Sequence, residues 1–160
     1  MRIFVRHAED ASKPVGRRVI DLRGREEAAG FSRMEHYFSF SERVKETKRK
    51  ILTFLIEAKR SGKSVAGYGA PAKGNTLLNY CGIRSDFIDY TVDRSPHKQG
   101  HYLPGVHIPI YGPDRVRETR PDYLVILPWN LREEIMEQMS YVRSWGGRFV
   151  VFVPEVKVYP

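Results

Sequence analysis

The run Val65-Ala66-Gly67-Tyr68-Gly69-Ala70-Pro71-Ala72-Lys73-Gly74-Asn75-Thr76 decides how the chain reads. Ser64–Tyr68 has the apolar character of a short strand. Gly67 and Gly69 let the backbone turn sharply and let a ligand approach without meeting a Cβ atom. A helix over about Ala72–Tyr80 is expected to follow directly. Its first turn offers unpaired N–H groups and a positive dipole end to an anion, with the Lys73 ammonium beside them. A second strand, Phe87–Val92, ends at Asp93, nineteen positions after Gly74. That is near the spacing at which a carboxylate accepts ribose hydroxyls in dinucleotide-binding units. The glycine pattern, Gly67-x-Gly69-x4-Gly74, is two residues longer than the dinucleotide fingerprint, and Pro71 stiffens it. A turn that merely starts a helix is the competing reading.

Working outward, Phe31–Arg60 has helical spacing, with Val44, Ile51, Phe54, Leu55 and Ala58 in one apolar stripe and Gly62 as its stop. Arg2–Val5 alternates like a strand cut off from its sheet, and Arg6–Gly30 reads as a polar linker. Downstream, a short strand is expected near Val106–Ile110 and a brief helix from Pro113 to Glu118. A strong strand at Tyr123–Leu127 follows, then an amphipathic helix Leu131–Ser144 carrying Ile135, Met139 and Val142. Gly146-Gly147 breaks that helix before a last strand, Arg148–Val153. Unbroken apolar strands such as Leu124-Val125-Ile126-Leu127 belong in a parallel sheet covered on both faces. The expected fold is α/β, a Rossmann-like doubly wound parallel sheet with helices on both faces, preceded by a helical linker.

At 160 residues the chain has room for one ordinary domain and an arm. With 41% hydrophobic and 29% charged residues it has the composition of a soluble globular protein. No apolar run approaches the roughly 18 residues that cross a bilayer. Met1–Arg6 is too short and too charged for a signal peptide, so a cytoplasmic location is expected and a membrane partner is not. The single cysteine, Cys81, excludes an internal disulfide framework and a multi-cysteine zinc site. The net charge of +8, from 27 basic and 19 acidic residues, favours an anionic partner. Arg17–Arg25 and Arg43–Lys63 interleave their charges with Glu and apolar residues, as solvated helix faces do. No recognition motif accompanies the charge, so a phosphorylated small molecule is preferred to nucleic acid.

Two further loops follow expected strands and therefore belong at the carboxyl edge of the sheet. In Asp93–Tyr102, Lys98 suits a phosphate contact or simply an exposed loop. His97 and His101 find no third ligand, so no metal is expected. In Leu127-Pro128-Trp129-Asn130, Asn130 suits either a helix N-cap or a ligand contact. Trp129, like Tyr68, has either a base or sugar to stack on or a neighbour to pack against. Cys81 reads as a small buried hydrophobe, and no nucleophile–base set can be assembled. The substrate-facing candidates are Gly67, Tyr68, Gly69, Ala70, Lys73, Gly74, Asn75, Thr76, Asp93, Lys98, Trp129 and Asn130. Lys73→Ala and Gly69→Val are each expected to weaken nucleotide binding without unfolding the domain.

The run from Gly67 to Tyr80 resembles the C-terminal domain of S-adenosylmethionine-dependent C-methyltransferases, a family that includes enzymes acting on nucleotide-linked deoxysugars. The similarity continues through Tyr90–Gly100, Tyr102–Gly105, Pro121–Tyr123, Leu127–Asn130 and Trp145–Gly147, in fixed order. His97 and Ser95 stand where that pattern leads one to expect tyrosine and asparagine. The resemblance implies a three-part parent: a zinc-binding N-terminal domain, a central domain with the methyl donor and catalytic base, and this domain gripping the substrate. Residues 1–30 then read as the end of the preceding methyltransferase domain and a linker, and residues 31–160 as the C-terminal domain with its leading helix. No cofactor is expected in this chain, and no methyl transfer from it alone. The implied partners are a nucleotide-sugar-like small molecule and the parent's central domain, with self-association through exposed apolar residues a further possibility. The reading that competes is a stand-alone NAD(P)-type dinucleotide-binding oxidoreductase, drawn from the glycine loop and Asp93.

Overall fold

The structure, a computed structural model, describes residues 2–160. The chain divides into two compact units, Met1–Arg43 and Val44–Pro160.

In the first unit the strand expected at Arg2–Val5 does not form. Those residues have no regular structure, and Phe4 and Val5 are 87% and 90% exposed. A strand without a neighbour has nothing to take its backbone hydrogen bonds, so alternation alone does not produce one. The expected linker instead contains helix α1, Arg17–Ala28. Its Arg, Glu, Leu and Ala content favours helix locally, and Arg17 and Asp21 pair across one turn. None of its residues is buried, so it has no apolar stripe for periodicity to detect.

Helix α2 spans Met34–Arg60. In the second unit its residues Ile51, Leu55 and Ala58 are buried, as the stripe foretold. It ends with Gly62 at φ +68°, Gly62 N–H donating to the Lys59 carbonyl and Lys63 N–H to that of Ala58. The strands are β1 (Val65–Tyr68), β2 (Thr91–Val92), β3 (Ile110–Tyr111), β4 (Tyr123–Ile126), β5 (Arg148–Val151) and β6 (Lys157–Tyr159). They form one sheet in the order β3-β2-β1-β4-β5-β6, parallel except for β6, which runs antiparallel to β5. The helices of this unit are α3 (Ala72–Cys81), α4 (Arg115–Thr119) and α5 (Arg132–Gln138).

Alternation along the strands feeds two cores. Val65, Val125 and Val150 pack with α2 and with Leu78 and Cys81 of α3. Ala66, Tyr68, Leu124, Ile126 and Phe149 pack with Val116 of α4 and Ile135 of α5. The sheet is therefore doubly wound. Each fully buried Leu, Ile or Phe stabilises this arrangement by roughly 1.5–3 kcal/mol.

Several expected boundaries shift, β3 among them, which forms at Ile110–Tyr111 in place of the expected Val106–Ile110. β2 keeps only its last two residues, because Gly67 and Tyr68 offer it a register of just two. The helix expected over Leu131–Ser144 is α5 flanked by 3-10 turns at Trp129–Leu131 and Ser140–Trp145. Met139, at φ −102° and ψ 19°, breaks it, yet Ile135, Met139 and Val142 are all buried as the stripe requires. β6 went unforeseen.

At the amino edge of the sheet, Asp122 ties β1 to β4. Its carboxylate accepts from Ser64 N–H and Ser64 Oγ–H, each at 2.9 Å, and from Lys63 Nζ at 2.8 Å. Ser64 Oγ in turn accepts from Asp122 N–H at 3.0 Å. The Lys63 ammonium and then the Ser64 N–H hold the Asp122 carboxyl down at about 2.

Candidate functional site

β1 and β4 lie side by side, with Tyr68 opposite Ile126. β1 runs on into α3 over one face of the sheet, and β4 into α5 over the other. The two chains part at their carboxyl ends, and that topological switch point is where open α/β sheets hold ligands. Gly69–Pro71 borders the crevice on one side and Leu127–Asn130 on the other.

The three glycines are accounted for by close backbone packing. A Cβ on Gly67 would lie 2.8 Å from Thr91 Oγ1 in β2. One on Gly74 would lie 2.9 Å from Leu127 Cβ, so this glycine lets α3 settle against the end of β4. Gly69 turns the chain at φ +89°, and its Cβ would lie 2.7 Å from Pro128 Cδ. This overturns the expectation that Gly69→Val spares the fold.

Beyond the turn, Pro71 precedes α3 in extended conformation and supplies no side-chain cap. Asn75 N–H is the first in the helix to find a carbonyl, that of Pro71. The N–H groups of Ala72, Lys73 and Gly74 have no hydrogen-bond acceptor among the described residues. These are the orphan donors of a helix start, aligned with its positive dipole end.

Asp93 fastens the loop that carries them. Its Oδ2 accepts from Ala70 N–H at 2.8 Å, and its Oδ1 from Ser95 N–H at 2.9 Å. Lys98 Nζ bridges Asp93 Oδ2 and the Ala70 carbonyl, both at 3.1 Å. Burial alone pushes the Asp93 carboxyl up, but the Ser95 and Ala70 amides together with Lys98 hold it below the usual carboxylate range. Thr91 Oγ1, donating to the Gly69 carbonyl at 2.8 Å, completes the fastening.

On the β4 side, the Lys73 ammonium lies 4.5 Å from the centre of the Trp129 ring and donates to Asn130 Oδ1. Asn130 is therefore not a helix cap. It sits inside the 3-10 turn, and Leu131 precedes α5 without any side-chain cap. Tyr68 is buried against the other core, with its hydroxyl 3.4 Å from Gln138 Oε1.

The fold thus joins Gly69, Ala70, Asp93 and Lys98 in one cluster, while Lys73 reaches across from α3 to join Trp129 and Asn130 in another. Gly67 lies within β1. Thr76 Oγ1 donates back to the Ala72 carbonyl, and Asn75 accepts from Asn79. The reading from sequence missed Thr91 and Pro128, which shape the turn, and Arg94 and Gln138, which border Tyr68. A proline directly after a strand was a readable signal for a packing surface; for the others tertiary pairing is the only one. Among the described residues no cluster of His, Cys, Asp or Glu suits a metal, and no helix is long and apolar enough to cross a membrane.

Comparison with known proteins adds three findings. The profile of the C-methyltransferase C-terminal domain family matches residues 1–154. The C-methyltransferase NovU of Streptomyces niveus is 35% identical over 140 residues, covering 88% of this chain and 33% of that protein. The chain thus spans about a third of that relative's length. Among solved structures, UDP-D-quinovosamine 4-dehydrogenase from Vibrio fischeri superposes with a TM-score of 0.41 at 20% identity, covering 58% of this chain and 79% of that one.

Proposed function

This chain belongs to the family of C-methyltransferase C-terminal domains, and from that premise we propose that it grips the substrate of a longer enzyme, a nucleotide-linked sugar or a small molecule of like chemistry. The observation that carries this reading is the trio of N–H groups without acceptors at Ala72, Lys73 and Gly74, the exposed Ala72 and Lys73 foremost, beside the Lys73 ammonium. A diphosphate satisfies all of these at once. Methylation at carbon needs a carbanion or enolate held near an electrophilic methyl group. Gripping the remote diphosphate supplies that positioning.

The methyl donor, S-adenosylmethionine, supplies the electrophilic methyl group when bound, and we place it in the parent's central domain. The residues of this chain do not fit it: the acid that would take adenosyl ribose hydroxyls, Asp93, already serves Ala70, Ser95 and Lys98. The same engagement disfavours the dinucleotide oxidoreductase reading. Residues 1–30 we assign to the end of that preceding domain and its linker, and the cytosol is the proposed location.

Calorimetric titration tests the proposal. UDP-glucose or dTDP-glucose is expected to bind saturably and NADH not to bind. Lys73→Ala is expected to weaken the nucleotide sugar about tenfold, the scale of one charge-assisted phosphate contact. NADH binding more tightly than either sugar nucleotide, or an unchanged affinity in Lys73→Ala, overturns it.

A further inference from the structure

On the face of the sheet opposite α3, the carboxyl end of β1 presents a mostly buried tyrosine whose hydroxyl meets exposed side chains only at long range. Tyr68 is 6% exposed, and among the described residues its hydroxyl reaches only Gln138 Oε1, at 3.4 Å. Arg94 Nη1, arriving from the loop after β2, stops 3.5 Å from the same oxygen. Ordinary hydrogen bonds run at about 2.5–3.0 Å from hydroxyl donors and about 2.7–3.2 Å from nitrogen donors, so both contacts lie at the loose limit. The hydroxyl lies at the edge of the core, among the exposed side chains of Gln138 and Arg94, where an incoming group can reach it. Gln138 Nε2 donates to Glu134 Oε1 at 2.7 Å, which leaves the amide oxygen facing the Tyr68 hydroxyl. The neighbouring groups are spent: Tyr141 Oη donates to Met139 Sδ, and the Arg117 guanidinium stacks on the Tyr141 ring at 3.5 Å.

From this arrangement, and resting on the reading of the crevice given above, we infer that Tyr68, Gln138 and Arg94 form a hydroxyl-recognition subsite that reads the sugar of the nucleotide-linked substrate. A phenol, an amide oxygen and a guanidinium together offer donors and an acceptor to neighbouring ring hydroxyls. A ligand hydroxyl entering between them replaces two long contacts with short ones. Glu134 beside Gln138 offsets the Arg94 charge, and a ring bearing neighbouring hydroxyls matches this mixture of donors and acceptor. Diphosphate and sugar then occupy opposite sides of one crevice.

The test compares UDP and dTDP with the same two nucleotides bearing glucose, by calorimetry on wild type, Tyr68→Phe, Gln138→Ala and Lys73→Ala. Phenylalanine keeps the ring in its core, and Gln138 is exposed, so at least one of these variants reports on a folded protein. In wild type the glucose-bearing ligands are expected to bind more tightly than the bare diphosphates. Tyr68→Phe and Gln138→Ala are expected to lower that advantage about three- to tenfold, the size of one hydrogen bond, while bare diphosphate affinity stays put. Lys73→Ala weakens both ligand types. If Tyr68→Phe and Gln138→Ala retain the full preference for the glucose-bearing ligands, or wild type shows none, the subsite is overturned while the diphosphate site stands. If wild type binds no ligand of either type, both readings fall.

Discussion

Gly69→Val is expected to destabilise the domain by about 3 kcal/mol or more, seen as a fall of roughly 10 °C in the unfolding midpoint. Two costs combine. Gly69 adopts φ +89°, a conformation that costs a residue with a side chain about 1–2 kcal/mol and is worst for a β-branched one. The new Cβ would also sit 2.7 Å from Pro128 Cδ, and a proline ring fixed in the β4 loop has no flexible end to swing aside. Overpacking of this kind adds about 1–3 kcal/mol. Gly69→Ala shares both costs in milder form and is expected to fall between wild type and valine. A valine variant that melts with wild type would show that the loop and Pro128 are not in contact as described.

Asp93→Ala is expected to cost about 3 kcal/mol and to abolish nucleotide binding, because one carboxylate holds both walls of the loop. Removal strips the Ala70 and Ser95 amides and the Lys98 ammonium of their acceptor, and hydrogen bonds to charged groups contribute about 1.5–3 kcal/mol each before relaxation. The effect carries a pH signature. The folded-state pKa of Asp93 is depressed below its ordinary value of 3.8, so its contribution is complete above that value and is lost as pH falls through the folded value. Urea midpoints of wild type and Asp93→Ala are therefore expected to lie far apart at pH 7 and to converge in acid, below pH 3.8. A gap that stays constant with pH would mean the alanine acts through lost packing and not through the charged clamp.

The doubly wound sheet was legible because its central strands are buried on both faces. Leu124-Val125-Ile126 and Phe149-Val150-Val151 leave no polar face to mislead, and Gly69 with Pro71 punctuates the passage into α3. The elements that escaped are those whose existence depends on partners or on none. α1 buries nothing, β2 and β3 take their length from two-residue registers, and β6 has three residues after a proline turn. The site was legible in the same partial way. Spacing brought Asp93 to the glycine loop, but it does not say which groups claim the carboxylate. Ala70 N–H and Lys98 claim it before any ribose does. Gly67 and Gly69 stood out as openings for a ligand, whereas Thr91 and Pro128 fill the space their side chains would take. Lys73, read as an anion contact, and Asn130, read as a helix cap or a ligand contact, turn out to meet across the crevice.

The most direct measurement is an amide proton–nitrogen NMR titration of the ¹⁵N-labelled domain with a nucleoside diphosphate. The cross-peaks of Ala72, Lys73 and Gly74 are expected to move downfield together and saturably, because their N–H groups gain a charged acceptor where they had none. Saturable binding that leaves those three peaks in place, with shifts elsewhere on the protein, would contradict the proposal that this helix start receives the anion.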